Sequence, residues 1–398
     1  MRYAISDKMA SLKPSAIREI FKYATDPDVI SLGGGNPAPE ALPVEVLRRF
    51  AGEVLDDNPM QALLYSQSEG HPPLRQALRE FLSHRYGVYG EGDEVMVTTG
   101  AQQCMDLACK VLCNEGDTVI TESPSFIGSL NCFRSYNVNL VGVEMEEDGM
   151  DIAKLESAIR SNKNVRFIYT IPNFQNPTGI TMSLAKREAV YALAKKYGVL
   201  ILEDNPYGDL RFRGESIPAV KSLDKDGLVI YAGSFSKILS TGMRVGYLVA
   251  PAELMGKLVV AKQCTDVHTS MLPQLMCLRF LTECDISAHL ESIKGIYAHK
   301  CLLMLAEMDA RFPKSVRYTR PDGGIFLWAT MPDGIDSNAF ATRLVRERKV
   351  CVVPGTAFLI DPEAPSSAFR LNFSGSGDEQ IVQGITHTAA LLHEVCPG

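Results

Sequence analysis

The chain has 398 residues, 46% hydrophobic and 22% charged, which is enough apolar material for two or three domains or one large domain with an appendage. A formal net charge of −7 without a long run of one sign argues against a nucleic-acid binder. The most apolar later stretch, residues 245–260, is interrupted by Pro251, Glu253 and Lys257 and cannot span a bilayer as one helix.

In chain order, Ser15-Ala16-Ile17-Arg18-Glu19-Ile20 opens a predicted helix. Its isoleucines share one side and turn Arg18 elsewhere; the Gly33-Gly34-Gly35 loop follows. The first twenty residues hold no continuous apolar run, which argues against a signal peptide. Short β-branched runs at 95–99, 118–121, 165–171, 199–203, 228–232 and 245–249 read as buried strands, with helical patterns at 102–112, 152–161 and 183–197 between them. Such alternation predicts an α/β fold: a mainly parallel sheet flanked by helices, binding ligands at the carboxyl ends of its strands. From about residue 286 the texture changes. A long helix through 310 precedes a hairpin over 316–330 turning at Pro321-Asp322-Gly323-Gly324, then a helix over 337–349, two short strands and a terminal helix over 378–393. The expected organisation is a large α/β domain over 42–283 and a smaller α+β domain combining 1–41 with 284–398.

Ten cysteines include no C-x-x-C pair, and Cys109 and Cys113 fall at apolar helix positions, so they read as reduced thiols of a cytoplasmic protein. Seven scattered histidines, none near a cysteine pair, suggest no metal site.

The strand ends carry the chemistry. Gly233-Ser234-Phe235-Ser236-Lys237 places a lysine just past an apolar strand, where burial and the positive charge of Arg244 would lower its pKa and suit it to imine formation. Alone, the pentapeptide also fits a solvated loop lysine beside an N-capping serine. Gly100-Ala101-Gln102 opens a helix whose free N–H groups suit a phosphate, and Ser234, Ser236 and Arg244 would complete the cup. Phe126 offers a face to a flat ring, or is core. Asp204 is a candidate partner for a pyridinium nitrogen and Tyr207 for a ring hydroxyl, against a helix-capping Asp and a half-buried Tyr. Two prolines and a glycine fix the loop that carries Asn176, which is otherwise a surface turn.

Residues 62–74 (ALLYSQSEGHPPL), 172–179 (PNFQNPTG), 203–207 (EDNPY) and 234–247 (SFSKILSTGMRVGY) resemble those of the fold-type-I pyridoxal-phosphate aminotransferases of class I/II. Within them the chain is most similar to the 2-aminoadipate, kynurenine and aromatic branch, which is also related to the effector domains of MocR regulators. The similarity runs from about residue 15 to the C-terminus. It implies pyridoxal 5′-phosphate (PLP) held as a Schiff base on Lys237, with Asp204 keeping the ring nitrogen protonated and Tyr207 and Asn176 bonding the ring hydroxyl. Gly100, Ala101, Gln102, Ser234, Ser236 and Arg244 match phosphate-binding positions, Phe126 the stacking ring, and Tyr65 a tyrosine that reaches the phosphate of the neighbouring subunit in a homodimer. Arg370, on the opposite face of its strand from Phe369, Leu371 and Phe373, matches the arginine that grips the substrate α-carboxylate; by pattern alone the strand also fits an edge strand with its polar face in water. Asn176, Gly34 and Arg18 are further expected substrate contacts, Arg18 either meeting an acidic side chain or standing as a solvated helix residue paired with nearby acids. Alanine at 101 and phenylalanine at 126 depart from the serine or threonine, and the tyrosine or tryptophan, frequent in relatives.

The implied activity moves the amino group of an L-amino acid of the 2-aminoadipate, aromatic or branched-chain type to a 2-oxo acid, with 2-oxoglutarate expected as acceptor. A PLP-dependent lyase or decarboxylase on the same fold needs the same cage. A cofactor-sensing transcriptional regulator is disfavoured, because the segment before Ser31 leaves no room for a helix-turn-helix domain.

Overall fold

In the computed structural model, residues 3–10 and 26–396 are described. Fourteen strands are named in chain order: β1 (Ile30–Ser31), β2 (Asp93–Thr98), β3 (Thr118–Ser123), β4 (Asn139–Glu146), β5 (Gly149–Met150), β6 (Val165–Thr170), β7 (Leu200–Asp204), β8 (Val229–Ser234), β9 (Gly246–Pro251), β10 (Arg317–Tyr318), β11 (Phe326–Thr330), β12 (Val350–Cys351), β13 (Val353–Pro354) and β14 (Ala368–Asn372). Eight form one sheet in the order β2-β9-β8-β7-β6-β3-β4-β5. Alternate residues of its strands face different layers: Val119, Phe167 and Leu202 join the larger core, while Ile120, Ile168 and Ile201 join a second core under the helices Ile152–Ser161 and Leu184–Tyr197. Both faces are therefore dry, as the apolar runs in the sequence require. The two covering helices start at Asp151 and Ser183, whose side chains accept from the N–H groups of Lys154 and Lys186.

The sheet runs parallel from β4 through β8, but β9 is antiparallel to both its neighbours. That reversal matters for the site. Gly246 opens β9 opposite Thr98 and Ser234, the last residues of β2 and β8. Arg244, which precedes a strand, thus lies at the same edge as residues that follow strands.

A second sheet, antiparallel in the order β10-β11-β14-β13, holds the predicted hairpin, with Tyr318 opposite Ala329. Arg370 of β14 sits between Trp328 and Val353. The strand's polar side does not face water: Arg370 and Asn372 are as buried as Phe369 and Leu371. β1 pairs with β12, and the amide of Asn372 donates to Leu32 O at 2.7 Å, which lays Gly33–Gly35 along β14. Among the described residues no helix is long and apolar enough to cross a membrane.

Candidate active site

One cavity of about 460 Å³ opens at the carboxyl edge of the large sheet. Eleven expected site residues line it: Ala101, Gln102, Phe126, Asn176, Asp204, Tyr207, Ser234, Ser236, Lys237, Arg244 and Arg370.

Lys237 is reached from the end of β8 through Phe235, whose ring is fully buried against Tyr247 and so anchors the turn. Its Nζ donates to the carbonyl of Gly35 at 2.6 Å. Burial, reinforced by Arg370 and Arg244, lowers its pKa from 10.5 to about 8. A neutral amine is thus accessible near physiological pH, as nucleophilic attack or proton transfer requires.

Asp204 ends β7. Its Oδ2 accepts from Tyr169 at 2.8 Å, and Tyr169 in turn accepts from Ser129 at 2.8 Å. Its Oδ1 is buried without a partner among the described residues. Burial pushes the carboxyl up to about 7 against the opposing effect of the Tyr169 bond. A carboxylate oxygen left bare at a cavity wall fits a cationic N–H such as a protonated pyridine nitrogen.

The residues expected to form a phosphate cup come from two strand ends. Gly100, with φ of 74°, is the N-cap of the helix Ala101–Leu112, whose first residues Ala101 and Gln102 line the cavity. Ser234 Oγ donates to Ser236 Oγ at 2.7 Å and accepts from the Ser236 amide at 3.0 Å. Gly100 does not itself line the cavity; it makes room for Arg244. A Cβ there would lie 2.3 Å from Arg244 Nη2. Gly100→Ala should therefore weaken PLP binding by the cofactor-free chain at least tenfold, through strain at positive φ and a displaced guanidinium. Titration of the apo protein checks it, and unchanged affinity would show that Arg244 is not needed in this place.

Opposite the cup, Arg370 Nη1 donates to Asn176 Oδ1 at 2.8 Å and Nη2 to Gly33 O at 2.7 Å, while Nε has no partner among the described residues. The guanidinium lies 4.0 Å from the Phe326 ring centroid and 5.0 Å from that of Phe358. No carboxylate pairs with it among the described residues, and burial lowers its pKa to about 10. Asn176 Nδ2 reaches the hydroxyl of Tyr207 at 3.4 Å. Burial raises the Tyr207 pKa, with Arg370 opposing.

Besides Gly100, three expectations fall elsewhere. Gly34 does not line the cavity; its neighbours Gly33 and Gly35 contribute their carbonyls instead. Tyr65 is 90% exposed, edge-on to His268, outside the cavity of its own chain. Arg18 lies outside the described residues. The sequence reading missed Tyr169 and Ser129, which hold Asp204, and Phe326, which covers Arg370. For Tyr169 the available signal was a polar hydroxyl at an inward position of a buried strand, which must find a partner.

This fold and this cavity define a PLP-dependent transferase. The chain belongs to the aminotransferases of class I and II, a family matched over residues 27–387, and its cofactor is PLP. It is 37% identical over 393 residues to aromatic-amino-acid aminotransferase 1 of Thermococcus litoralis, covering 98% of this chain and 94% of the relative. A Pyrococcus horikoshii kynurenine aminotransferase, solved with PMP, superposes with a TM-score of 0.95 at 34% identity, covering 99% and 98% of the two chains. The Thermus thermophilus α-aminoadipate aminotransferase complexed with N-(5′-phosphopyridoxyl)-L-leucine gives 0.90 at 35%, covering 98% and 97%.

Proposed function

We propose that the amino donor is an L-amino acid of the 2-aminoadipate, aromatic or branched-chain type and that the acceptor is 2-oxoglutarate. The observation that carries the reading is a buried, acid-free arginine, Arg370, facing the same cavity as the Lys237 amine. A substrate α-carboxylate supplies the counter-charge that Arg370 lacks, in two-point geometry. Asn176 orients both Arg370 and Tyr207. Bound PLP supplies an electron sink for charge developing at the substrate Cα. Asp204 holds the ring nitrogen protonated, and the Lys237 amine takes the Cα proton and later returns one. Apolar walls at Ile127, Ile171 and Phe326 suit a hydrophobic donor side chain, and the names of the similar proteins, aromatic, kynurenine and α-aminoadipate, support both apolar and acidic donors. Arg18 is assigned to the acidic ones. Conversion of the bound cofactor to its amino form across a panel of L-amino acids tests the donor class. Absence of conversion with leucine, phenylalanine, kynurenine, glutamate and 2-aminoadipate alike would overturn it.

The active unit is read as a homodimer with shared sites, soluble in the cytoplasm, with no nucleic-acid partner. Tyr65 lies beside Met60, Leu63 and Leu64, each more than half exposed, a strip that a second copy would cover. Domain limits at 42 and 283 suit the two sheets, since β2 to β9 fall within them and β10 to β14 beyond. Mixing inactive Lys237→Ala chains with inactive Tyr65→Ala chains should restore part of the activity, because one hybrid site has both residues intact. No rescue despite demonstrated chain exchange would argue against sharing.

A further inference from the structure

Behind the cavity, at the carboxyl end of β3, a fully buried glutamate receives only donors. Glu122 Oε1 accepts from Thr170 Oγ1 at 2.6 Å and from the Ile171 amide at 3.0 Å, and Oε2 accepts from Gln175 Nε2 at 3.0 Å. The Gln175 side chain cannot turn over. Its Nε2 also donates to Pro124 O at 2.8 Å, and its Oε1 accepts from the Thr178 amide at 2.9 Å and the Thr178 hydroxyl at 2.7 Å. A carbonyl only accepts and a backbone N–H only donates, so both ends of this amide are fixed.

We propose that Glu122 is a positioning residue: as the acceptor for Gln175, it fixes the loop in which the next residue, Asn176, holds Arg370. This rests on the reading of Arg370 as the holder of the substrate carboxylate. Each oxygen meets a donor that cannot reverse, Oε1 the Ile171 amide and Oε2 the fixed NH₂ of Gln175, so both are needed as acceptors. Burial pushes this carboxyl up to about 7, and the bonds from Thr170, Gln175 and Ile171 oppose that rise. A buried acid held at both oxygens by fixed donors serves geometry, and the geometry it serves ends at Asn176 Oδ1, 2.8 Å from Arg370 Nη1.

Glutamine at 122 has nearly the same shape but must set its NH₂ against that of Gln175, because the Ile171 amide claims its oxygen. The reciprocal swap restores the match. In the Glu122→Gln, Gln175→Glu double variant, the amide now at 122 donates to the carboxyl now at 175, whose other oxygen accepts both Thr178 groups. The oxygen that replaces Nε2 faces Pro124 O and must carry the proton, donating it to Pro124 O while accepting from the amide at 122.

The test measures binding of two non-reacting carboxylates, 3-phenylpropanoate and adipate, to the PLP-loaded protein by calorimetry, together with PLP affinity of the apo chain. Glu122→Gln and Gln175→Glu should each weaken binding of both carboxylates about tenfold. The double swap should return it to within threefold of wild type, and PLP affinity, which Asn176 also serves, should follow the same pattern with a smaller loss. Arg370→Met is the control. If it leaves carboxylate binding intact, the reading of Arg370 fails; if it abolishes binding while Glu122→Gln does not weaken it, this inference alone fails. A double swap no better than the single variants would overturn it too. Should the single variants not accumulate, the double variant must still fold and bind carboxylates within threefold of wild type, and its failure to do so would equally overturn the proposal.

Discussion

Lys237→Met should lower turnover by more than about a thousandfold, the upper range for losing a positioned acid–base group, and should change how the stability of the cofactor-free chain depends on pH. In that state burial drops the Lys237 pKa from 10.5 to about 8. Below pH 8 the folded chain carries an ammonium in a site that disfavours it, at a cost on the order of 3 kcal/mol for such a shift. Between pH 8 and 10.5 the unfolded chain still holds this proton and the folded chain does not, so stability rises with pH across that window. Methionine has no proton to release. The variant's stability relative to wild type should therefore be greatest below pH 8 and decline steadily to pH 10.5, as read from urea unfolding of the two apo proteins. Parallel pH profiles would show that Lys237 is solvated, not desolvated. Borohydride reduction of the wild-type holoenzyme should label Lys237 alone. Lys262 is also buried, but its Nζ is saturated by Gln103, Asp266 and Thr269 and has no free pair to offer.

Most of the large sheet was legible because its strands are apolar on both faces. The runs expected at 165–171 and 228–232 are β6 (Val165–Thr170) and β8 (Val229–Ser234), displaced by no more than two residues. β4 was missed although Val141, Val143 and Met145 alternate: only Val143 is fully buried, and Gly142, Glu144 and Glu146 are exposed between and after them. The antiparallel course of β9 was open to inference, because residues 235–245 are too short for a crossover helix. The helices Val44–Asp57, Pro72–Tyr86 and Met271–Glu283 were not anticipated. At the site, residues that follow strands directly were visible as motifs. Tyr169 and Glu122 were not, since each lies inside a strand and acts only through what the neighbouring strand places against it. Tyr65 has no place in the cavity of a single chain, and nothing in a one-chain pattern of burial marks a residue as completing another copy.

Asp204→Asn should keep the cofactor and lose most turnover. The carboxylate meets Tyr169 through Oδ2 and leaves Oδ1 bare toward the position where a ring nitrogen fits. In asparagine the amide oxygen takes over the Tyr169 bond, because the tyrosine hydroxyl already accepts from Ser129 and has its own hydrogen to donate. The NH₂ then faces the ring nitrogen. Two donors cannot face each other, so the nitrogen gives up its proton and accepts from the amide instead. Contacts in the phosphate cup and at Lys237 are unaffected, hence the retained cofactor. What disappears is a fixed negative charge in a site where burial, against the Tyr169 bond, raises the carboxyl to about 7. Such a charge acts at low effective dielectric, and its loss should cost roughly 3 kcal/mol or more, on the order of a hundredfold in rate. The loss should fall in kcat for every donor, acidic or apolar, since the ring nitrogen serves them all, and KM should move little because Arg370 is untouched. Single-turnover rates with leucine and glutamate, measured beside PLP affinity, check both halves. A variant within a few-fold of wild type would mean that Asp204 does not govern the charge on the ring.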